Sequence, residues 1–261
     1  MNIISKQENI TPELAQLYLT TNGVNRKART SNIRTLSAAI KRGEWQLTHQ
    51  GIAFSRNGAL LDGQHRLMAI IDANIPVQMM VYRNVSEDAF RVMDSGAKRS
   101  IADHTGMSQK TAEVCRLIAA YICGGSTFVT ADQCIKIYNS GIGELHDELI
   151  TYCSTSRAVT ASAPIRAAAV LMMISGNNKQ IIKDIYSNMV NQQFAKLPPI
   201  AQALLRQINL KKVMAQEKTE LITKSLKVFN PNNAYMSKLI STPTELENTG
   251  NMIRSILGKV M

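Results

Sequence analysis

The spacing of apolar residues changes character near residue 100. Upstream, short apolar runs are broken by glycine and polar turns, the mark of strands mixed with helices. Thr11-Pro12-Glu13 carries a cap, a first-turn proline and a dipole-favouring acid. Leu14, Leu17 and Tyr18 add an apolar stripe, which predicts a helix ended by Gly23. A second helix is predicted after Ser31 or Asn32, with Ile33, Leu36, Ala39 and Ile40 at helical spacing and Gly43 at its end. Trp45–Thr48, Ile52–Phe54 and Ala59–Leu61 read as short strands, the last two joined by an Arg56-Asn57-Gly58 turn. A helix over about 64–73, a strand over 77–82 and a helix opening at Ser86 complete this half.

From Ser100 onward the pattern is helical almost to the end. Apolar positions recur with a 3.6-residue period through 157–175, 178–194 and 198–228, and Asn230-Pro231-Asn232-Asn233 interrupts before a last helical tail. The expected architecture is α+β: a small mixed-sheet core over residues 1–100, then an all-helical domain over 101–261. The segment 100–118 has the cadence of a helix-turn-helix. Ala102 is small where two helices cross, Gly106 makes the turn, and Ser108 caps a second helix from Gln109. Gln109, Lys110, Thr111 and Arg116 are then candidates to meet DNA, while a plain helical hairpin fits the same pattern.

Composition adds a partner to this picture. The net charge is +11 over 261 residues, with a pI of about 9.6, which suggests a polyanion and most often nucleic acid. Aromatics are only 5%, which argues against an extended base-stacking surface. Cys115, Cys123, Cys134 and Cys153 form no CxxC pair and read as reduced thiols. The N-terminus lacks the order of a signal peptide, and no apolar run has the length of a membrane span. The expectation is a cytoplasmic protein without a membrane partner.

The candidate chemistry is concentrated in Asp62-Gly63-Gln64-His65-Arg66, between an apolar pair and an apolar helical pattern. Strand, glycine turn and helix start aim first-turn N–H groups at one point, suited to a phosphate. Arg66 is a bidentate phosphate partner, Asp62 a catalytic candidate as ligand for Mg²⁺ or acceptor for a ribose or substrate hydroxyl, and His65 a proton carrier or hydrogen-bond donor to a phosphate oxygen. The alternative is a plain capped helix in which Arg66 pairs with Asp62 across one turn. Arg26, in the basic loop before the second helix, is a candidate to approach the same phosphates. Asp94 through Arg99 joins a carboxylate to Lys98 and Arg99, reading either as a second catalytic and phosphate-binding cluster or as a charged linker.

The stretch Leu60-Leu61-Asp62-Gly63-Gln64-His65-Arg66-Leu67 resembles the DGQHR signature of the ParB/sulfiredoxin-like superfamily. The flanks 43–48 and 94–100 are similar to phage and mobile-element proteins of that type, and the resemblance covers roughly residues 11–105. It implies a small mixed-sheet nucleotide-binding core with Gly63, Gln64, His65 and Arg66 on the phosphates. Gln64 stands where sulfiredoxins carry their redox cysteine, so that activity is not carried over. His65 stands where ParB proteins usually carry a second arginine, so their CTP-dependent clamp is not carried over either. The expected ligand is Mg²⁺ with a nucleoside triphosphate, ATP or CTP, and the expected partner is DNA. A homodimer is the candidate assembly. The function expected first is a nucleotide-binding, DNA-associated NTPase. A phosphotransferase or nuclease using the same pocket and a non-enzymatic DNA-binding regulator are the alternatives.

Overall fold

In the computed structural model, which describes residues 2–22, 28–87, 100–153, 159–208 and 217–258, the chain divides into two compact units, Met1–Arg99 and Ser100–Met261. The first unit is built on one four-stranded mixed sheet. Its strands are β1 (Ile4–Ile10), β2 (Ile52–Ser55), β3 (Leu60–Asp62) and β4 (Val77–Val85), in the order β1-β4-β2-β3. β1 runs antiparallel to β4, β2 parallel to β4, and β3 antiparallel to β2. The parallel pair requires a crossover, supplied by β3 and the helix that follows it.

Helices α1 (Pro12–Leu19), α2 (Thr30–Lys41) and α3 (Gln64–Ala73) complete the unit. Ile10, Ile52, Leu60, Leu67, Ile70, Met79 and Val81 are buried in one core. Truncating Leu67 or Ile70 to alanine removes part of that packing, a change that typically costs about 2–5 kcal/mol. The Thr11 hydroxyl caps α1 by accepting from the Leu14 N–H, as its position before Pro12 predicts.

Two expectations are corrected, and one strand is added. β1 was not anticipated, because most of its residues are exposed and its polar run carries no apolar alternation. Trp45–Thr48 forms no strand: both edges of β4 are taken by β1 and β2, and the Trp45 indole N–H instead donates to the Gln78 carbonyl at 3.0 Å. α2 opens at Thr30, with Arg29 in the cap position and no side-chain cap, rather than after Ser31 or Asn32.

Helices are the only regular elements among the described residues of the second unit. α4 (Ile101–Thr105) and α5 (Gln109–Cys123) are followed by α6 (Ala131–Ile137), α7 (Gly143–Tyr152), α8 (Ala163–Ile174), α9 (Lys179–Val190), α10 (Pro199–Gln207), α11 (Glu217–Val228) and α12 (Pro243–Leu257). α8 is the central member. Every residue from Pro164 to Leu171 is buried, and its alanines let neighbouring helices approach closely. No helix among the described residues is long and apolar enough to cross a membrane.

Candidate functional site

The turn into α3 is shaped by Gly63. Its φ of 106° lies in the left-handed region, and a β-carbon there would sit 3.1 Å from Ile52 Cγ1 and 3.2 Å from Ile52 Cα. Only glycine meets both constraints without strain. As the N-cap residue it also has no side chain to bond the first-turn N–H groups, so the positive end of the helix dipole is left to other partners.

The neighbouring side chains hold this turn in place. Asp62 Oδ1 accepts from the Gly63 N–H at 2.6 Å. Arg66 Nη1 donates to the Gly51 carbonyl at 2.7 Å and to Asp62 Oδ2 at 3.3 Å. The one-turn ion pair is therefore present, but Asp62 does not cap α3; it folds back on the Gly63 amide. With the Asp62 side chain 44% exposed, that pair adds less than about 1 kcal/mol. The Gly51 carbonyl is the stronger restraint, and it fixes the guanidinium beside the helix start. Among the described residues, the Nε and Nη2 groups of Arg66 make no hydrogen bond.

Gln64 and His65 reach backwards along the chain. The Asn22 side-chain amide donates to Gln64 Oε1 at 3.2 Å, and the Arg29 N–H donates to His65 Nε2 at 3.0 Å. Asn22 and Arg29 bracket residues 23–27. Asn22 and Arg29 are thus both held at the first turn of α3. Gln64 is buried, and its anchoring role carries no signal in composition or spacing.

Arg26, Asp94, Lys98 and Arg99 lie outside the described residues, as does most of the helix expected at Ser86. Among the described residues no group of three histidine, cysteine or acidic side chains converges on a metal position. Among the described residues Asp62 belongs to no such group, and it would hold Mg²⁺ together with phosphate oxygens and water. A cavity of about 560 Å³ opens in the same unit, lined by Leu17, Tyr18, Phe54, Ser55 and Arg83 among others. None of residues 62–66 lines it. Arg83 lies over the Tyr18 and Phe54 rings there and donates to Glu8.

In the helical unit, Gly106 ends α4 with φ 72°, and Ser108 caps α5 by accepting from the Thr111 N–H. Gln109, Lys110 and Arg116 are exposed. Thr111 is not: it is fully buried, so its candidacy for DNA contact is corrected. It sits instead in a chain of hydrogen bonds whose direction can be deduced. Arg166 Nη1 has only protons to give, so His146 Nε2 accepts at 2.9 Å. The His146 Nδ1–H then donates to Thr111 Oγ1 at 3.0 Å, and Thr111 donates to Asp147 Oδ1 at 2.7 Å. Arg166 also donates to the Ala161 and Lys110 carbonyls and to Glu113 Oε2.

This network keeps His146 neutral. Burial, and then the adjacent Arg166 charge, push its pKa down from 6.5 to about 4. Protonation would set a second donor against the Arg166 N–H. The unfolded chain takes up the proton as pH falls through 6.5, whereas the folded chain resists until about 4. The stability contributed above pH 6.5 is therefore lost between 6.5 and 4, by an amount on the order of 3 kcal/mol. Urea midpoints compared at pH 7 and pH 4.5 should fall further for the natural chain than for His146→Gln. Equal falls would remove His146 as the cause.

No family model, curated protein or solved structure matches this chain, so its site stands on its own geometry.

Proposed function

We propose that this chain binds the phosphates of a nucleoside triphosphate at Gly63–Arg66 and acts on or alongside DNA. One observation carries the nucleotide reading: Gln64 and His65 hold the Asn22 side chain and the Arg29 backbone against the first turn of α3. A helix start with no side-chain cap and a guanidinium fixed beside it suit a phosphate, and the sequence between Asn22 and Arg29 adds the cations Arg26 and Lys27. The resemblance of Asp62–Arg66 to the DGQHR signature of ParB/sulfiredoxin-like proteins points the same way.

In this reading Arg66 exchanges its contact with Asp62 for a phosphate oxygen. Asp62 would then be able to hold Mg²⁺ together with phosphate oxygens of ATP or CTP and water. The charge of +11 supports the nucleic-acid half of the proposal.

Thermal melts with ATP, CTP, GTP and their diphosphates in the presence of Mg²⁺ test it. A bound nucleotide at a hundred times its Kd should stabilise the natural chain by about 2.7 kcal/mol. Arg66→Ala, compared with its own ligand-free melt, should lose that shift. If no nucleotide moves the natural chain more than it moves Arg66→Ala, the reading fails.

A further inference from the structure

The helical unit contains a large open cleft of about 1280 Å³, far from neutral in its lining. Lys110 and Arg116 from α5, Lys218 from α11 and Arg254 from α12 face it. All four of these side chains belong to exposed residues. The acids on the wall are Glu113 and Glu247. Glu113 is already engaged by the buried Arg166, at 2.8 Å. Setting that pair aside leaves, among the described residues, four cations against one acid, a net charge of +3. Among the described residues, Arg116 and Lys218 form no ion pair.

The cations are strung out rather than gathered at one point. Lys110 and Arg116 stand six residues apart on α5, about 9 Å at 1.5 Å per residue. Arg254 Nη2 donates to the Tyr121 and Ile122 carbonyls, which places its guanidinium a further 8 Å or so along the same helix. Lys218 is brought in beside them because its neighbour Thr219 accepts from the Tyr121 hydroxyl at 3.0 Å. The α8 N-terminus also lines the cleft. There the Ser162 hydroxyl is buried and has no hydrogen-bond partner among the described residues. A compact phosphate calls for converging donors. A row of cations over roughly 17 Å of helix matches a repeating anion.

We infer that this cleft holds the phosphodiester backbone of a nucleic-acid strand lying along α5. The inference rests on the nucleic-acid half of the proposed function and is independent of the Gly63–Arg66 cradle. It also shifts the expected contact from base reading by a helix-turn-helix to backbone binding in a groove. Lys110 and Arg116 keep a role, whereas Thr111, buried beneath them, does not. Among the described residues Tyr121 is the sole aromatic on the wall, in keeping with contacts to phosphate rather than to stacked bases.

Fluorescence anisotropy with a labelled twenty-nucleotide single strand and the corresponding duplex tests the assignment. The full chain should bind at least one probe, with an affinity that falls steeply between 50 and 200 mM salt. Arg116→Glu with Lys218→Glu should weaken binding at least tenfold. It should also lower the salt slope by about 1.4 on the single strand or 1.8 on the duplex, as expected for two lost phosphate contacts. Lys179→Glu with Lys238→Glu makes the same charge change outside the cleft and should leave the slope nearly intact. Equal weakening by both double variants, or no binding of either probe by the natural chain, overturns the inference. The cleft variant should retain its nucleotide-dependent melting shift, so failure here is distinct from failure of the cradle.

Discussion

Arg166→Ala is expected to destabilise the helical unit by about 3–5 kcal/mol, the cost of breaking a buried charged network from one side. Arg166 is 3% exposed, and its guanidinium satisfies the Ala161 and Lys110 carbonyls, His146 Nε2 and the Glu113 carboxylate at once. Removing it leaves those acceptors short of a donor beneath the cleft that Arg166 helps to line. Glu113→Gln should cost under about 1 kcal/mol, since the Glu113 side chain is 60% exposed and water replaces the lost charge. Arg166→Lys should rescue little, because one ammonium cannot reproduce the planar fork. Urea unfolding followed by helical circular dichroism measures all three. A loss for Arg166→Ala no larger than that for Glu113→Gln would show that the network is dispensable.

Gly51→Ala is the second severe change expected. A β-carbon at Gly51 would overlap the Met80 carbonyl, so β2 must move away from β4. Backbone cannot yield as a flexible side chain does, and the cost should reach about 3 kcal/mol, the upper end of the overpacking range. The Gly51 carbonyl is also the closest acceptor for Arg66, at 2.7 Å. Displacing it unseats the guanidinium, so nucleotide-induced stabilisation should vanish together with part of the fold. Met80→Ala shortens the neighbouring side chain and leaves the Met80 carbonyl in place, so it should not rescue Gly51→Ala. Recovery of the melting temperature in that double variant would locate the clash in the side chain instead.

What the sequence made legible follows from where periodicity and turn chemistry agree. Helix α3 runs from Gln64 to Ala73, as expected, because Gly63 fixes its start and Leu67 and Ile70 mark its buried face. The Gly106 turn and Ser108 cap were readable for the same reason. β1 was not, since an exposed strand is recognised by its partner rather than by its own pattern. The inward turn of Thr111 was hidden because nothing local marks His146 and Asp147 as its partners, 35 and 36 residues away. Arg166 did leave a signal: a lone cation inside an alanine-rich apolar helix is expected to be paired when buried. At the Asp62–Arg66 turn, the residue types and the one-turn ion pair were legible. The tethering of residues 22 and 29 by Gln64 and His65 was not, because it depends on contacts far apart in sequence.

A two-dimensional amide NMR titration with Mg²⁺ and CTP or ATP tests the phosphate cradle most directly, since it reports where the ligand sits. The backbone amides of Gly63, Gln64, His65 and Arg66 should shift first and furthest, saturating with a single affinity, and the Arg66→Ala variant should abolish the response. Nucleotide titrations that leave those four amides unmoved, or that shift only residues of the helical unit, would contradict it.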